Sequence, residues 1–364
     1  MEESTASWPD RRILDLVGLT HPIIQAPMGG PKLGLTAAVT GAGGLGSLGC
    51  AAMSAEQIRA AIATIRESTD GPVNLNFFCH APPPDEEPGD ARWPARLEPY
   101  YREFGIDPAA APAMAKRAPF DETMCALVEE LRPKVVSFHF GLPETRWLER
   151  VRAAGSLVFA SATTVAEARW LDERGVDAVI AQGAEAGGHR GIFLPGEIAA
   201  QPGLFALLPQ VVDAVSVPVI AAGGIADGRG VAAAFALGAS AAQIGTAYLR
   251  CPEAGISQVH LDALRAARDE DTALTNVFTG RPARGLLNRA MRELGPLSDD
   301  TPSFPKAAVA LQPLRVAAES RGDGDFSPLW SGQSAALARD LGAAELTRLL
   351  SEEARKRMAE IGRR

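Results

Sequence analysis

Two histidines sit where the sequence leaves room for chemistry. His189 lies in Gln182-Gly-Ala-Glu-Ala-Gly-Gly-His-Arg-Gly191, a run whose glycines and small side chains are poor material for a core. An imidazole titrates near neutrality, from about 6.5 in the absence of perturbation. A histidine on such a loop can therefore take a proton from a substrate or stabilise an anion. His139 lies in Val135-Val-Ser-Phe-His-Phe-Gly141. Strand alternation puts Ser137, His139 and Gly141 on one face and Val136, Phe138 and Phe140 on the other. His139 reads either as a group facing the site or as a hydrogen-bonded core histidine.

Other runs have the composition of a ligand cradle. VPVIAAGGI at 217–225 and AAQIGTAY at 241–248 carry glycines at the ends of apolar runs, where bare backbone N–H groups suit a phosphate dianion. Close backbone packing in a turn is the bland reading of the same glycines. In QAPMGG, Met28 stands over a turn shaped by Pro27 and two glycines, against which a flat aromatic cofactor can lie. Asn74 and Asn76 are polar residues in a buried run and read either as cofactor ligands or as satisfied core amides. GAGGLG at 41–46 matches G-x-G-x-x-G, but it follows a helical pattern and precedes a strand, the reverse of a dinucleotide fingerprint. Those glycines read as a helix end leading tightly into a strand. Arg190, His21, His80 and His260 read as structural.

The elements that must carry these groups are short. The 36 glycines and 27 prolines punctuate apolar runs too brief for helices, at 23–28, 44–48, 73–78, 135–141, 156–162, 178–183, 217–223 and 241–247. Amphipathic stretches such as 54–67 and 165–174 lie between most of them and suit crossover helices. Eight alternations over a span of about 250 residues predict a closed (β/α)8 TIM barrel, with an open doubly wound sheet as the competing architecture. The barrel is expected over 1–250. Its Pro-rich excursion at 79–120 is expected to be a loop with short helical pieces over the mouth. A small cap or second domain is expected over 251–330, and two C-terminal helices joined near Gly342 and packing on the barrel over 331–364.

Composition excludes several classes. The chain has 364 residues, 46% hydrophobic and 22% charged, with 36 Lys and Arg against 44 Asp and Glu for a net charge of −8. No general basic excess is available for nucleic acid, and no apolar run approaches the roughly 20 residues of a membrane span. Four scattered cysteines give neither a disulfide framework nor a metal site. The first residues carry no apolar signal segment, so the expected compartment is the cytoplasm.

IIQAPMGG, GAGGLG, VNLNFF, VVSFHFGLP, SATTVAEARWL, QGAEAGGHRG, PVIAAGGI and QIGTAYL, in this order, resemble the nitronate monooxygenase family over roughly residues 12–290. LWSGQSAALAR near the end adds to the likeness. The resemblance implies an FMN-dependent barrel that oxidises alkyl nitronates with O2 to a carbonyl compound and nitrite. It implies that Ala26, Pro27 and Met28 border the flavin and that Asn74 and Gln182 hydrogen-bond it. Gly187, Gly223, Gly224, Gln243, Gly245 and Thr246 would hold its phosphate, with His189 as the catalytic histidine and His139 as a second active-site histidine. Two other activities fit the same residues: an FMN-dependent NAD(P)H reductase of the enoyl-ACP or quinone type, and a flavin-free phosphate-binding lyase or isomerase. The chain departs from the family in its tyrosines. It has only Tyr100, Tyr101 and Tyr248, and Phe304-Pro305-Lys306 stands where a Tyr-Pro pair is expected.

Overall fold

The computed structural model describes residues 8–107 and 118–362. The part of the 79–120 excursion at 108–117 lies outside the described residues, as do residues 1–7 and 363–364.

In chain order the strands are β1 (Ile23–Gln25), β2 (Gly46–Gly49), β3 (Val73–Phe78), β4 (Val135–His139), β5 (Leu157–Ala162), β6 (Ala178–Gln182), β7 (Gly188–His189), β8 (Val219–Ala222), β9 (Ala241–Ile244), β10 (Thr272–Thr275) and β11 (Ala283–Leu286). All but β7, β10 and β11 form one parallel sheet in the order β1-β9-β8-β6-β5-β4-β3-β2. Its two ends meet through a parallel bridge between Ile24 and Leu45. Leu45 N–H donates to the Ile23 carbonyl and Gln25 N–H to the Leu45 carbonyl, both at 3.0 Å, which closes the barrel.

The eight expected strands are present, most of them with shorter ends. β1 stops at Gln25 rather than 28, because Ala26 N–H makes the last bond to the Ile244 carbonyl and Pro27 has no N–H to continue. β9 stops at Ile244, where Gly245 turns the chain into the helix Thr246–Leu249. The crossover helices are built as their sequences require. Ala55–Arg66 starts in a capping box between Ser54 and Gln57 and buries Ile58, Ala61 and Ile65. Val165–Asp172 is capped by Thr164.

Two expected elements differ. Among its described residues the excursion carries a 17-residue helix, Pro88–Phe104, longer than the short pieces expected. Pro88 stands in its first turn, where a missing N–H costs nothing. The buried stripe of this helix, Trp93, Leu97 and Tyr101, joins Phe278, Met291, Leu311, Leu314 and Phe326 in a second apolar core separate from that of the barrel. The tail holds one 3-10 turn, Ala335–Leu337, and one long helix, Ala343–Ile361, rather than two helices. That helix lies on Gly228–Ala236 and Leu33–Gly41. It buries Leu346 and Leu350 there, each worth roughly 1.5–3 kcal/mol.

Candidate active site

The site is assembled at the carboxyl ends of the barrel strands, the face on which β/α barrels carry their ligands. His189 belongs to β7, which pairs antiparallel with β11 in a three-stranded sheet, β10-β11-β7. The expected glycine-rich loop is thus a strand at Gly188 and His189, because 283–286 offers it an edge. Arg190 N–H extends the pairing to the Pro282 carbonyl at 2.9 Å.

The polypeptide around His189 is fixed by charges taken out of water and fully bonded. The Arg190 side chain, 1% exposed, donates to the carbonyls of Gln182 and Gly183 and to Gln201 Oε1. Glu167, also buried, accepts from Thr163 N–H and O–H and from the N–H groups of Phe193 and Leu194. Hydrogen bonds to charged groups contribute about 1.5–3 kcal/mol each, so this loop has a defined shape before any ligand arrives. Gln182, expected to face a cofactor, spends one amide N–H on the His189 carbonyl (3.0 Å) and accepts from Gly191 N–H (2.8 Å).

His139 and His189 are brought together. His139 Nε2 lies 3.2 Å from the His189 carbonyl and Nδ1 lies 3.1 Å from Ser161 Oγ. Desolvation, with the nearby charges of Arg281 and Arg190, pushes the His139 pKa down to about 4. The His189 ring lies 3.0 Å, from Nε2, to Thr279 Oγ1. Around it stand Phe304 at 5.4 Å, Trp330 at 5.5 Å, Phe140 at 6.0 Å and Phe78 at 6.1 Å between ring centroids.

Phe140 was assigned by alternation to the face away from the site, and it is not there. β4 ends at His139, and Phe140 adopts a positive φ of 69° that turns its ring back over His139, at 4.6 Å. The Arg281 guanidinium covers that ring at 4.0 Å while donating to the Ile192 carbonyl. His80, expected to be structural, also lines this wall, 4.8 Å from Phe304. None of the three tyrosines reaches it. Tyr101 O–H bonds the Ala310 carbonyl, Tyr248 bonds Thr347, and Tyr100 packs on Phe326.

The residues expected to hold a cofactor lie on the barrel strands and at their carboxyl ends. Asn74 and Asn76 divide between the two readings left open for them. Asn76 donates to the Ser137 carbonyl and hydroxyl and is a satisfied core amide. Asn74 donates to Ser47 Oγ, while its Oδ1 is buried without a partner. Gln243 Oε1 is likewise buried and unpartnered. Unpaired buried acceptors are rare in folded proteins, and one on β3 with another on β9 fit a bound molecule with donors. The pyrimidine edge and ribityl hydroxyls of a flavin supply such donors, so the residues present fit the implied group.

Beside them, Ala26, Pro27 and Met28 follow β1, Gly223 and Gly224 follow β8, and Gly245 and Thr246 follow β9. The tail closes over this cradle. Gly332 N–H donates to Thr246 Oγ1 at 2.9 Å, Gln333 N–H to the Glu185 carbonyl at 3.0 Å and Ser334 O–H to the Gly224 carbonyl at 2.6 Å. A Cβ on Gly187 would stand 2.5 Å from Gly332 N, so glycine is required for this approach. The strap at 331–334 entered the sequence reading only within the likeness of LWSGQSAALAR, without a role, and the buttress at 279–284 was not singled out. The available signals were the Gly-Gln-Ser of the tail and the Thr-Gly-Arg-Pro-Ala-Arg run.

The nitronate monooxygenase family model matches residues 10–353. A nitronate monooxygenase of Pseudomonas aeruginosa is 44% identical over 94% of this chain and 99% of its own. Among solved structures, a nitroalkane oxidase from Streptomyces ansochromogenes superposes with a TM-score of 0.86 at 38% identity, over 96% of this chain and 99% of its own. FabK from Thermotoga maritima superposes with a TM-score of 0.73 at 29% identity, over 96% and 98%.

Proposed function

The chain belongs to the nitronate monooxygenase family, and from that membership and the geometry above we propose that it is an FMN-dependent oxidoreductase of alkyl nitronates and their parent nitroalkanes. The observation that carries the reading is the enclosure of His189 by aromatic rings beside a cradle with two unpaired buried acceptors. Bound flavin supplies the electron acceptor for the substrate carbon and the route of those electrons to O2. The carbon leaves as a carbonyl and the nitro group as nitrite.

The protein's part is to bind, orient and move a proton. Asn74 and Gln243 would bond the flavin through their open acceptors. Ala26, Pro27 and Met28 would border its ring. Gly187, Gly223, Gly224, Gly245 and Thr246 would hold the phosphate end, and Gln182 would bond the flavin with its remaining amide hydrogen. His189 would lie against the nitro group, stabilise a nitronate anion or take the α-proton of a neutral nitroalkane. Phe78, Phe140, Phe304 and Trp330 would exclude water from that proton transfer. His139, with both nitrogens engaged, would act by holding the His189 backbone. The desolvated cations Arg190 and Arg281 make the surroundings favourable to an anionic substrate. Four unpaired thiols and the absence, among the described residues, of a helix able to cross a membrane support action in the cytoplasm on a small molecule.

The test is an anaerobic absorbance titration of the flavin-loaded protein with ethyl nitronate, with NADH and NADPH in parallel cuvettes. The proposal expects the nitronate to change the flavin spectrum and the pyridine nucleotides to leave it intact. Bleaching by NADH or NADPH with no response to nitronate would replace it with the reductase reading.

A further inference from the structure

Resting on that reading and deepening it, we propose that Glu87 is a positioning residue that holds Phe304 in the wall beside His189 and so sets how long a carbon chain the enclosure accepts. The stretch Phe304-Pro305-Lys306, which lacks the tyrosine expected there, lies outside the barrel strands, in a turn ahead of the helix Ala307–Glu319. Its ring nonetheless stands 4.8 Å from His80, 5.4 Å from His189 and 5.8 Å from Phe140, between centroids. A turn that presents a ring at a fixed depth needs support from outside the barrel. That support is the start of the helix Pro88–Phe104.

Both carboxylate oxygens of Glu87 are engaged. Oε1 accepts from Ser303 N–H at 2.9 Å and Oε2 from Ser303 O–H at 2.7 Å. The Glu87 side chain is 15% exposed, while Asp85, Glu86 and Pro88 around it face solvent, so this one carboxylate is turned inward from an exposed stretch. Hydrogen bonds to a carboxylate are stronger than neutral ones, and these two tie the residue before Phe304 by its backbone and its side chain together. Beyond the ring, Lys306 Nζ lies 2.9 Å from Asp90 Oδ2 and 3.4 Å from Glu87 Oε1. Asp90 in turn accepts from Glu87 N–H at 3.0 Å. Phe304 thus stands between two residues, Ser303 and Lys306, that are both bonded to the first turn of one helix.

Two glycines grip the same segment. A Cβ on Gly89 would stand 2.7 Å from Pro302 Cα, and a Cβ on Gly280 would collide with the Pro302 carbonyl oxygen and stand 2.8 Å from Phe304 N. The segment is pressed between the helix on one side and the turn that carries Thr279 on the other. The helix is itself anchored: Trp93, fully buried, donates from Nε1 to the Ala307 carbonyl at 3.1 Å.

The consequence falls on selection by the wall. Without Glu87 the Ser303 donors turn to water, the turn is free to move off the helix, and the Phe304 ring no longer closes the enclosure at one depth. Longer carbon chains are then accepted, in the same direction as removal of the ring and to a smaller extent. Glu87 reaches the site only through Phe304, so its loss changes nothing further once the ring is gone.

The experiment compares flavin-loaded wild type, Glu87→Ala, Glu87→Gln, Ser303→Ala, Phe304→Ala and the double variant Glu87→Ala with Phe304→Ala on ethyl and butyl nitronate. It also follows Phe304 by fluorine NMR in protein labelled with fluorophenylalanine, with Phe304→Leu assigning the signal. Glu87→Ala should raise the butyl-to-ethyl ratio of kcat/KM by roughly twofold, within the nearly fourfold that each added methylene can contribute. The change should lie mainly in KM, and the Phe304 resonance should shift or broaden. Ser303→Ala, which keeps the N–H bond, should show a smaller effect of the same kind. A glutamine can accept from Ser303 N–H and donate to the serine oxygen, so Glu87→Gln should recover ratio and resonance. The double variant should have the ratio of Phe304→Ala alone, the non-additivity of residues that act as a unit. Additive ratios, an unchanged Phe304 resonance in Glu87→Ala, or no recovery in Glu87→Gln overturns the proposal. Where Glu87→Ala does not fold, Ser303→Ala carries both readouts, and a wild-type ratio and resonance there overturn it equally. If the wild type oxidises neither nitronate, the proposed function fails instead, and the Phe304 resonance still decides the role of Glu87.

Discussion

The imidazole of His139 donates a hydrogen bond to the backbone carbonyl of His189. A carbonyl can only accept, so Nε2 carries the proton and Nδ1 receives the Ser161 hydroxyl. This pairing makes the neutral form of His139 part of the scaffold that aims His189. One histidine acts through the other's main chain, and its own ring also packs on Phe78 and Phe140 of the aromatic enclosure.

Acid should therefore weaken this scaffold. With its folded pKa pushed down to about 4, against an ordinary value near 6.5, His139 stays neutral in the folded protein while its unfolded counterpart takes up a proton. The stability it contributes is complete above the unfolded value and is lost as pH falls from there toward about 4. Urea unfolding over that interval should show the decline, with a shallower slope in His139→Gln. An NMR titration should find His139 still neutral at pH values where an exposed histidine is charged; a midpoint near the ordinary value would remove it from the scaffold.

His189 itself should separate the two substrates. His189→Ala removes the proposed proton acceptor and should cost nitroalkane turnover roughly 10²–10⁴-fold, the usual worth of a general base. Nitronate turnover should fall less, because only anion stabilisation is lost. Steady-state oxygen consumption with each substrate measures this, and unchanged rates on both would take His189 out of the mechanism.

The strap over the cradle makes a second kind of prediction. Gly187→Ala places a methyl group 2.5 Å from Gly332 N, against backbone that has no side chain to move aside. Overpacking of this sort costs typically 1–3 kcal/mol. The Thr246 to Gly332 bond should open, and flavin should be lost on gel filtration at concentrations where the wild type retains it. Equal flavin retention in the variant would show that the strap is not part of the cradle.

How much of this was legible in the sequence depends on the range of the cause. The barrel strands were legible because burial on both faces writes continuous apolar runs, as in 178–182, and helix starts such as Ser54 carry their caps beside them. His189 stood out because glycines surround it. Thr279 did not, since it meets His189 from 90 residues along the chain and nothing local marks the pairing. The direction of Phe140 was misread for another reason. Alternation holds only while the strand lasts, and one residue with positive φ reverses the face. The helix Pro88–Phe104 was hidden by its prolines, which mark breaks in most contexts and here occupy a first turn and a helix whose apolar stripe finds a partner core.

Asn74 should matter to flavin more than to the fold. Its buried Oδ1 has no partner within the protein, so replacing the amide removes that open acceptor together with one bond donated to Ser47 Oγ. Asn74→Ala should weaken flavin binding by roughly tenfold, the equivalent of one hydrogen bond at about 1.5 kcal/mol. Fluorescence titration of the flavin-free protein with FMN reads the effect directly. An unchanged dissociation constant would mean that the open acceptor faces something other than flavin.

Phe304 offers the last test, of what the enclosure selects. It stands where related chains are expected to carry a tyrosine. Its ring packs on His189, His80, Phe78 and Phe140, leaving that wall without a phenolic hydroxyl. A wall of this kind favours substrates whose carbon chain is apolar and offers little to polar ones, because a hydrogen-bonding group buried against it goes unsatisfied. Removing the ring in Phe304→Ala should enlarge the enclosure and shift kcat/KM toward longer alkyl nitronates, each added methylene contributing up to about 0.8 kcal/mol of burial, or nearly fourfold. Phe304→Tyr should keep the size and lower the preference for the most apolar chains. A series of primary nitronates of increasing length, compared across the three proteins, measures both effects; parallel profiles in all three would place the selecting wall elsewhere.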